Sequence, residues 1–155
     1  MRRAIEREEF CNYYQPIIAF ETSKIVGFEA LVRWRHPTRG LVSPADFIPL
    51  AEETGIIIPI GQWVLREACR QMGEWKRKYP GNQPLTISVN LSSKQLTHPG
   101  LIEQADQILR EAGLEASCLK LEITESVIME AESATAMLVQ LRFLDVHLKI
   151  GRAHV

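Results

Sequence analysis

Three oxygen-bearing side chains and one arginine are the residues of this chain whose types and placement admit chemistry. Asn90 lies near the end of an alternating apolar–polar run, Glu122 near the end of the next, and Glu29 shares its parity with Arg33 in an earlier one. Carboxylate and amide oxygens are the ligands that hard divalent cations such as Mg²⁺ or Mn²⁺ take. Converging, they would make an open site for metal-assisted phosphoester hydrolysis, and Arg33 would add a planar donor for a phosphate. From spacing alone the plainer reading, solvated polar residues at strand ends, stands ahead. Other chemistries find less support. His36 and His98 each precede a proline in a loop, with no partner at metal-ligand spacing. No Ser/His/Asp order and no phosphate-cradling glycine loop is present. Cys11, Cys69 and Cys118 are odd in number and far apart. They read as reduced thiols rather than a disulfide framework or a zinc cage.

Such a set needs elements to hold it. Residues 10–20 are β-rich, Glu21-Thr22-Ser23-Lys24 reads as a turn, and 25–34 as a second strand, which together predict an antiparallel hairpin. Residues 36–40 carry two breakers and read as a loop. Ser43-Pro44 predicts a helix start, Ser capping and Pro at the first helical position, with the helix over 47–53 stopping at Gly55. A longer helix is expected over 58–79, where Ile60, Trp63, Val64, Ala68, Met72 and Trp75 keep helical spacing. Strands over 85–91, 118–124 and 146–150 alternate with helices over 100–112 and 130–144. That order implies an α/β fold with a parallel sheet and helical crossovers, either a barrel or a doubly wound sheet.

The strand parities bear on this choice. Leu85, Ile87, Val89 and Leu91 oppose Thr86, Ser88 and Asn90, and Leu119, Leu121 and Ile123 oppose Lys120, Glu122 and Thr124. Doubly wound strands are apolar on both faces. One polar face fits the mouth of a barrel, where strand carboxyl ends carry chemistry. An α+β sheet with one wet face fits parity equally well.

Composition sets the frame. The 155 residues are 46% hydrophobic and 24% charged, with formal net charge -1, as in an ordinary globular domain. Basic and acidic residues are interspersed, which argues against a nucleic-acid polymer as partner but not against a small phosphate-bearing ligand. No apolar run is long enough to cross a membrane. The charged start is unlike a signal peptide and reads as a short helix entering the domain.

Five blocks in order then carry a resemblance: Tyr14-Gln15-Pro16-Ile17; Glu29-Ala30-Leu31-Val32-Arg33-Trp34, followed by His36-Pro37 and Gly40; Pro44-Ala45-Asp46-Phe47-Ile48-Pro49-Leu50-Ala51-Glu52; Val89-Asn90-Leu91-Ser92; and Leu121-Glu122-Ile123-Thr124-Glu125-Ser126. Together they resemble the front part of an EAL domain, the family of bacterial phosphodiesterases that cut cyclic di-GMP. The resemblance implies a TIM-like (β/α)₈ barrel of EAL type with an antiparallel first strand, incomplete here at about the first half to two-thirds. A whole barrel of this kind takes about 250 residues. It further implies that Glu29, Asn90 and Glu122 are ligands of Mg²⁺ or Mn²⁺, and that Arg33 contacts the phosphate and Gln15 the dinucleotide. Glu125 resembles the second glutamate, which anchors a catalytic loop, so Glu29, Glu122 and Glu125 form the catalytic acidic set. Leu31 and Trp34 are expected to be packing residues.

Expected of the parent are metal-dependent hydrolysis of cyclic di-GMP to the linear dinucleotide, a homodimer, and an upstream sensor or diguanylate cyclase module. Its location is expected to be cytoplasmic, any membrane tether lying in upstream segments. The alternative is a non-catalytic EAL-type module that binds cyclic di-GMP or a protein. The family pattern calls for a double aspartate after Ile150, where this chain reads Gly151-Arg152-Ala153-His154-Val155. The ending from Ile150 matches a translation of a common sequencing-library adapter. The expected division is therefore 1–9 as the end of a linker helix, 10–150 as a partial EAL domain and 150–155 as a non-native tail. The chain by itself is expected to be inactive.

Overall fold

The computed structural model describes residues 1–81, 84–130 and 134–151. A short helix α1 (Arg2–Glu6) leads into β1 (Phe10–Ile18), which pairs antiparallel with β2 (Ile25–His36). The hairpin closes with Ser23 N–H donating to the Ala19 carbonyl and Ala19 N–H to that of Lys24. The expected loop after His36 is shorter than the sequence suggests. β3 (Gly40–Val42) turns back on β2, with Gly40 at φ +72°, a conformation other residues adopt only at a cost.

Helix α2 (Pro44–Thr54) begins with proline at its first position and ends at Gly55, φ +80°. Ser43 is the cap residue, but its side chain makes no capping hydrogen bond; proline at the next position leaves fewer amide donors to satisfy. Helix α3 (Ile57–Lys78) buries Ile60, Val64, Leu65, Ala68, Cys69 and Met72 along one stripe. It packs against β1, β2 and β4 (Thr86–Asn90). A short helix α4 (Ser93–Leu96), not anticipated from the sequence, follows β4 and is held by a capping box between Ser92 and Gln95. Helix α5 (Leu101–Ala112) lies against α3. A 3₁₀ turn (Ala116–Cys118) enters β5 (Leu119–Thr124).

Of the helix expected over 130–144 the structure describes α7 (Ala134–Phe143), and α6 (Glu125–Glu130), not anticipated from the sequence, precedes it. Residues 131–133 lie outside the described residues. Glu125 in the first turn of α6 complements the helix dipole, so α6 starts directly where β5 ends. β6 (His147–Gly151) completes the described sheet, and of the expected tail residues 152–155 lie outside the description.

The sheet runs β1-β2-β4-β5-β6, with β3 on the end of β2, and β2, β4, β5 and β6 are mutually parallel. This order settles the choice left open above. A doubly wound sheet reverses its strand order at a switch point. Here each strand adds beside the last, as in a barrel wall. The helix-facing side is dry: Ile87, Val89, Leu119, Leu121 and Ile123 are at most 2% exposed. Phe10, Trp34 and Phe47 stack where β1, β2 and α2 meet, which gives Trp34 the packing role expected of it.

Candidate active site

The opposite face of the same strands is polar. Glu29 lies beside Ser88 in the β2–β4 register, and Asn90 beside Glu122 in the β4–β5 register. Glu29 is in the middle of β2, not at its end as expected. In register it is level with Ser88, two residues short of the carboxyl end of β4, and its side chain reaches forward along the face to Asn90. Asn90 Nδ2 donates to Glu29 Oε1 at 3.2 Å. With that donor engaged, Asn90 Oδ1 is the atom left to serve a cation. Leu91 N–H donates to the Glu122 carbonyl and carries the ladder past Asn90, fixing the strand ends against each other.

Glu122 is mostly withdrawn from solvent, its side chain 12% exposed, and Lys149 Nζ of β6 stands 3.8 Å from its Oε1. The sequence reading missed Lys149. The β5–β6 register, which no local pattern specifies, sets Lys149 beside Glu122. Beneath Asn90 on this face, Ser88 is fully buried, and its Oγ has no hydrogen-bond partner.

Gln15 is exposed and directly opposite Glu29 across the hairpin. Arg33 is four residues further along β2 on the same face. Its guanidinium donates to the Val32 carbonyl and lies 5.6 Å over the Tyr13 ring, so it flanks the acidic set without touching it. Glu125 is exposed at the start of α6, the residue next after β5. A cleft of about 270 Å³ reaches from Asn90 and Glu122 to Pro44 and Ile48 of α2 and Ile60 of α3. Pro44 and Ile48 belong to the third of the resemblance blocks, where the sequence assigns them no role in the site.

His36 and His98 stay outside the set. Nδ1 of His36 accepts the Thr38 and Arg39 amides, and Nδ1 of His98 accepts that of Gly100, so both serve turns. Among the described residues no trio of His, Cys, Asp or Glu gathers into a metal cluster. The set is two carboxylates and an amide. These all-oxygen donors suit a hard cation, and the ammonium already drawn to Glu122 shows that the place attracts positive charge.

A singly wound α/β wall of parallel strands after an antiparallel first one, with polar groups along one face, is the architecture of part of a TIM-like barrel. The chain belongs to the EAL domain family, whose model matches residues 1–153. It is 43% identical over 151 residues to MucR of Pseudomonas aeruginosa, named a bifunctional diguanylate cyclase/cyclic di-GMP phosphodiesterase, covering 97% of this chain and 22% of that protein. It is 41% identical over 135 residues to PA2567 of the same organism, named a cyclic di-GMP phosphodiesterase, again spanning 22% of its length. The structure of the PaMucR phosphodiesterase in complex with c-di-GMP superposes with a TM-score of 0.89 over 96% of this chain and 60% of that one. The chain thus spans about a fifth of the curated relatives it matches.

Proposed function

We propose that this chain is part of a phosphodiesterase domain that hydrolyses cyclic di-GMP to the linear dinucleotide with Mg²⁺ or Mn²⁺. The observation that carries the reading is the contact of Asn90 with Glu29 beside Glu122 on the polar face. Glu29, Asn90 and Glu122 would hold the cation, and Glu125 would hold the loop that completes the site. When bound, the cation polarises the phosphoryl oxygen and lowers the pKa of the attacking water. Arg33 would donate to a phosphate oxygen and fix which ester faces that water. Gln15, exposed beside Glu29, would bind the dinucleotide. The relatives' names support both substrate and reaction class. A homodimer, a multidomain parent and a cytoplasmic location belong to the same proposal. No described helix is long and apolar enough to cross a membrane.

A second reading is a module that binds cyclic di-GMP or a protein without cutting. The test is linear-dinucleotide production, followed by chromatography, by this chain and by a version extended with the native downstream sequence. The chain alone should give none. The extended protein should turn over, and Glu29→Ala or Glu122→Ala should abolish that turnover, because groups acting as one unit fail together. An unchanged rate with Glu29→Ala sinks the metal assignment. Binding without turnover in the extended protein establishes the second reading.

A further inference from the structure

Far from that face, Lys76 Nζ of α3 donates to Cys118 Sγ at 2.8 Å, joining residues 42 apart in sequence. Cys118 ends the 3₁₀ turn at the amino end of β5, the end opposite Glu122, and is 4% exposed. Lys76 is half-buried in the last turns of α3. The contact is held from behind. One turn before Lys76, Gly73 lets α3 approach α5 so closely that a Cβ there would lie 2.6 Å from the Ala112 carbonyl oxygen. A second thiol, Cys69, is two turns earlier on α3, fully buried and close enough to Cys118 to feel its charge.

We propose that Lys76 and Cys118 form an oxidant-responsive modification site, at which a peroxide oxidises the Cys118 thiol and the Lys76 amine captures the product as a reversible S–N link. In the first step the peroxide O–O bond breaks. Sulfur gains a hydroxyl to become a sulfenic acid, and the other oxygen leaves as water. In the second the Lys76 ammonium gives one proton to solvent, the freed amine attacks that sulfur and the S–O bond breaks, and the hydroxyl leaves as water with a second proton from the nitrogen. A reducing thiol then cleaves the S–N bond, taking the Cys118 sulfur into a mixed disulfide and returning the amine. Cys69 is the competing captor. A disulfide requires its thiolate, and burial, with Cys118 as a lesser cause, pushes the Cys69 thiol up to about 12. Cys69 is sealed from the solvent that would take its proton, while the half-buried Lys76 nitrogen already touches the sulfur and still meets water.

The test is millimolar hydrogen peroxide on the native chain, followed by digestion and tandem mass spectrometry. The expected result is a peptide pair joined through Lys76 and Cys118, lighter than the sum by two hydrogens and separated by dithiothreitol. Lys76→Arg keeps the charge but not the amine, so the link should vanish and Cys118 should become reactive to dimedone. Cys118 found unmodified, trapped as sulfenic or sulfinic acid beside a free Lys76, or joined to Cys69 overturns the proposal. So does equal formation of the link in guanidinium-unfolded chain, since the native contact is then not its cause.

Discussion

Two faces of one set of strands have been put to different uses. On β4 and β5, Ile87, Val89, Leu119, Leu121 and Ile123 point to the helices and are essentially inaccessible. Their neighbours Asn90, Lys120, Glu122 and Thr124 point the other way and keep contact with solvent. Because successive strand residues alternate faces, a one-residue step changes a side chain from packing to chemistry. Stability and function are therefore written on separate parities, and substitutions one residue apart should separate them.

Leu121 and Glu122 give the sharpest contrast. Leu121→Ala removes a fully buried side chain and should cost about 2–5 kcal/mol of unfolding free energy. Glu122→Ala removes a carboxylate from the polar face and should leave stability within about 1 kcal/mol of the parent, while abolishing turnover in the extended protein. Urea unfolding measures the first and dinucleotide production the second. If Glu122→Ala destabilises as much as Leu121→Ala, the faces do not divide the work.

Arg33 should show a milder effect. Hydrogen bonds to charged groups contribute about 1.5–3 kcal/mol. In the extended protein Arg33→Ala should raise KM roughly ten- to hundredfold. Its present neighbours, the Val32 carbonyl and the Tyr13 ring, make little demand on it. Unaltered KM in steady-state kinetics would remove Arg33 from the site.

Alkaline pH probes the packed face. Burial chiefly, offset in part by the Asn12 amide, pushes the Tyr14 phenol up to about 12 from an ordinary 10.0. Burial pushes the Cys69 thiol up to about 12 from 9.0. Both folded-state values lie above the unfolded ones, so the folded chain holds these protons more tightly. The stability they confer is complete below the ordinary values and lost as pH rises towards 12. Urea midpoints should fall across that interval, and the fall should be shallower in Tyr14→Phe and in Cys69→Ala. Parallel slopes in parent and variants would assign the loss to other groups.

The blocks from Gln15 to Glu125 were legible in the sequence because local chemistry set them: the hairpin, the Pro44 start, the Gly55 stop and the parity of β4 and β5. What the sequence hid was nonlocal. Glu29 reaches Asn90 diagonally through the β2–β4 register, a fact about how two distant strands pair. Lys149 reaches Glu122, and Lys76 reaches Cys118, through registers and helix packing that no single stretch encodes. Helix α6 was missed for a different reason. Val127, Ile128 and Met129 are apolar enough for a helix, but six residues offer too little periodicity to be read as one.

The smallest predicted effect tests how far the separation of faces extends. Glu9, between α1 and β1, accepts the Trp34 indole N–H on Oε2 at 2.8 Å, and its carbonyl accepts the Arg35 amide at 2.7 Å. Trp34 is on the packed parity of β2, next to Arg33 on the polar one. Glu9→Ala removes the side-chain acceptor and keeps the carbonyl, so it should cost about 1 kcal/mol in urea unfolding. Trp34→Phe keeps a ring against Phe10 and Phe47 but has no N–H to donate. Once Trp34 is Phe, Glu9→Ala should cost almost nothing, and the double-mutant cycle should return most of that 1 kcal/mol as coupling. If the faces are independent, Glu9→Ala in the extended protein should leave KM for cyclic di-GMP unchanged. A raised KM would mean that the chain entering the domain reaches Arg33 through Trp34, and the two faces would then be mechanically joined along β2.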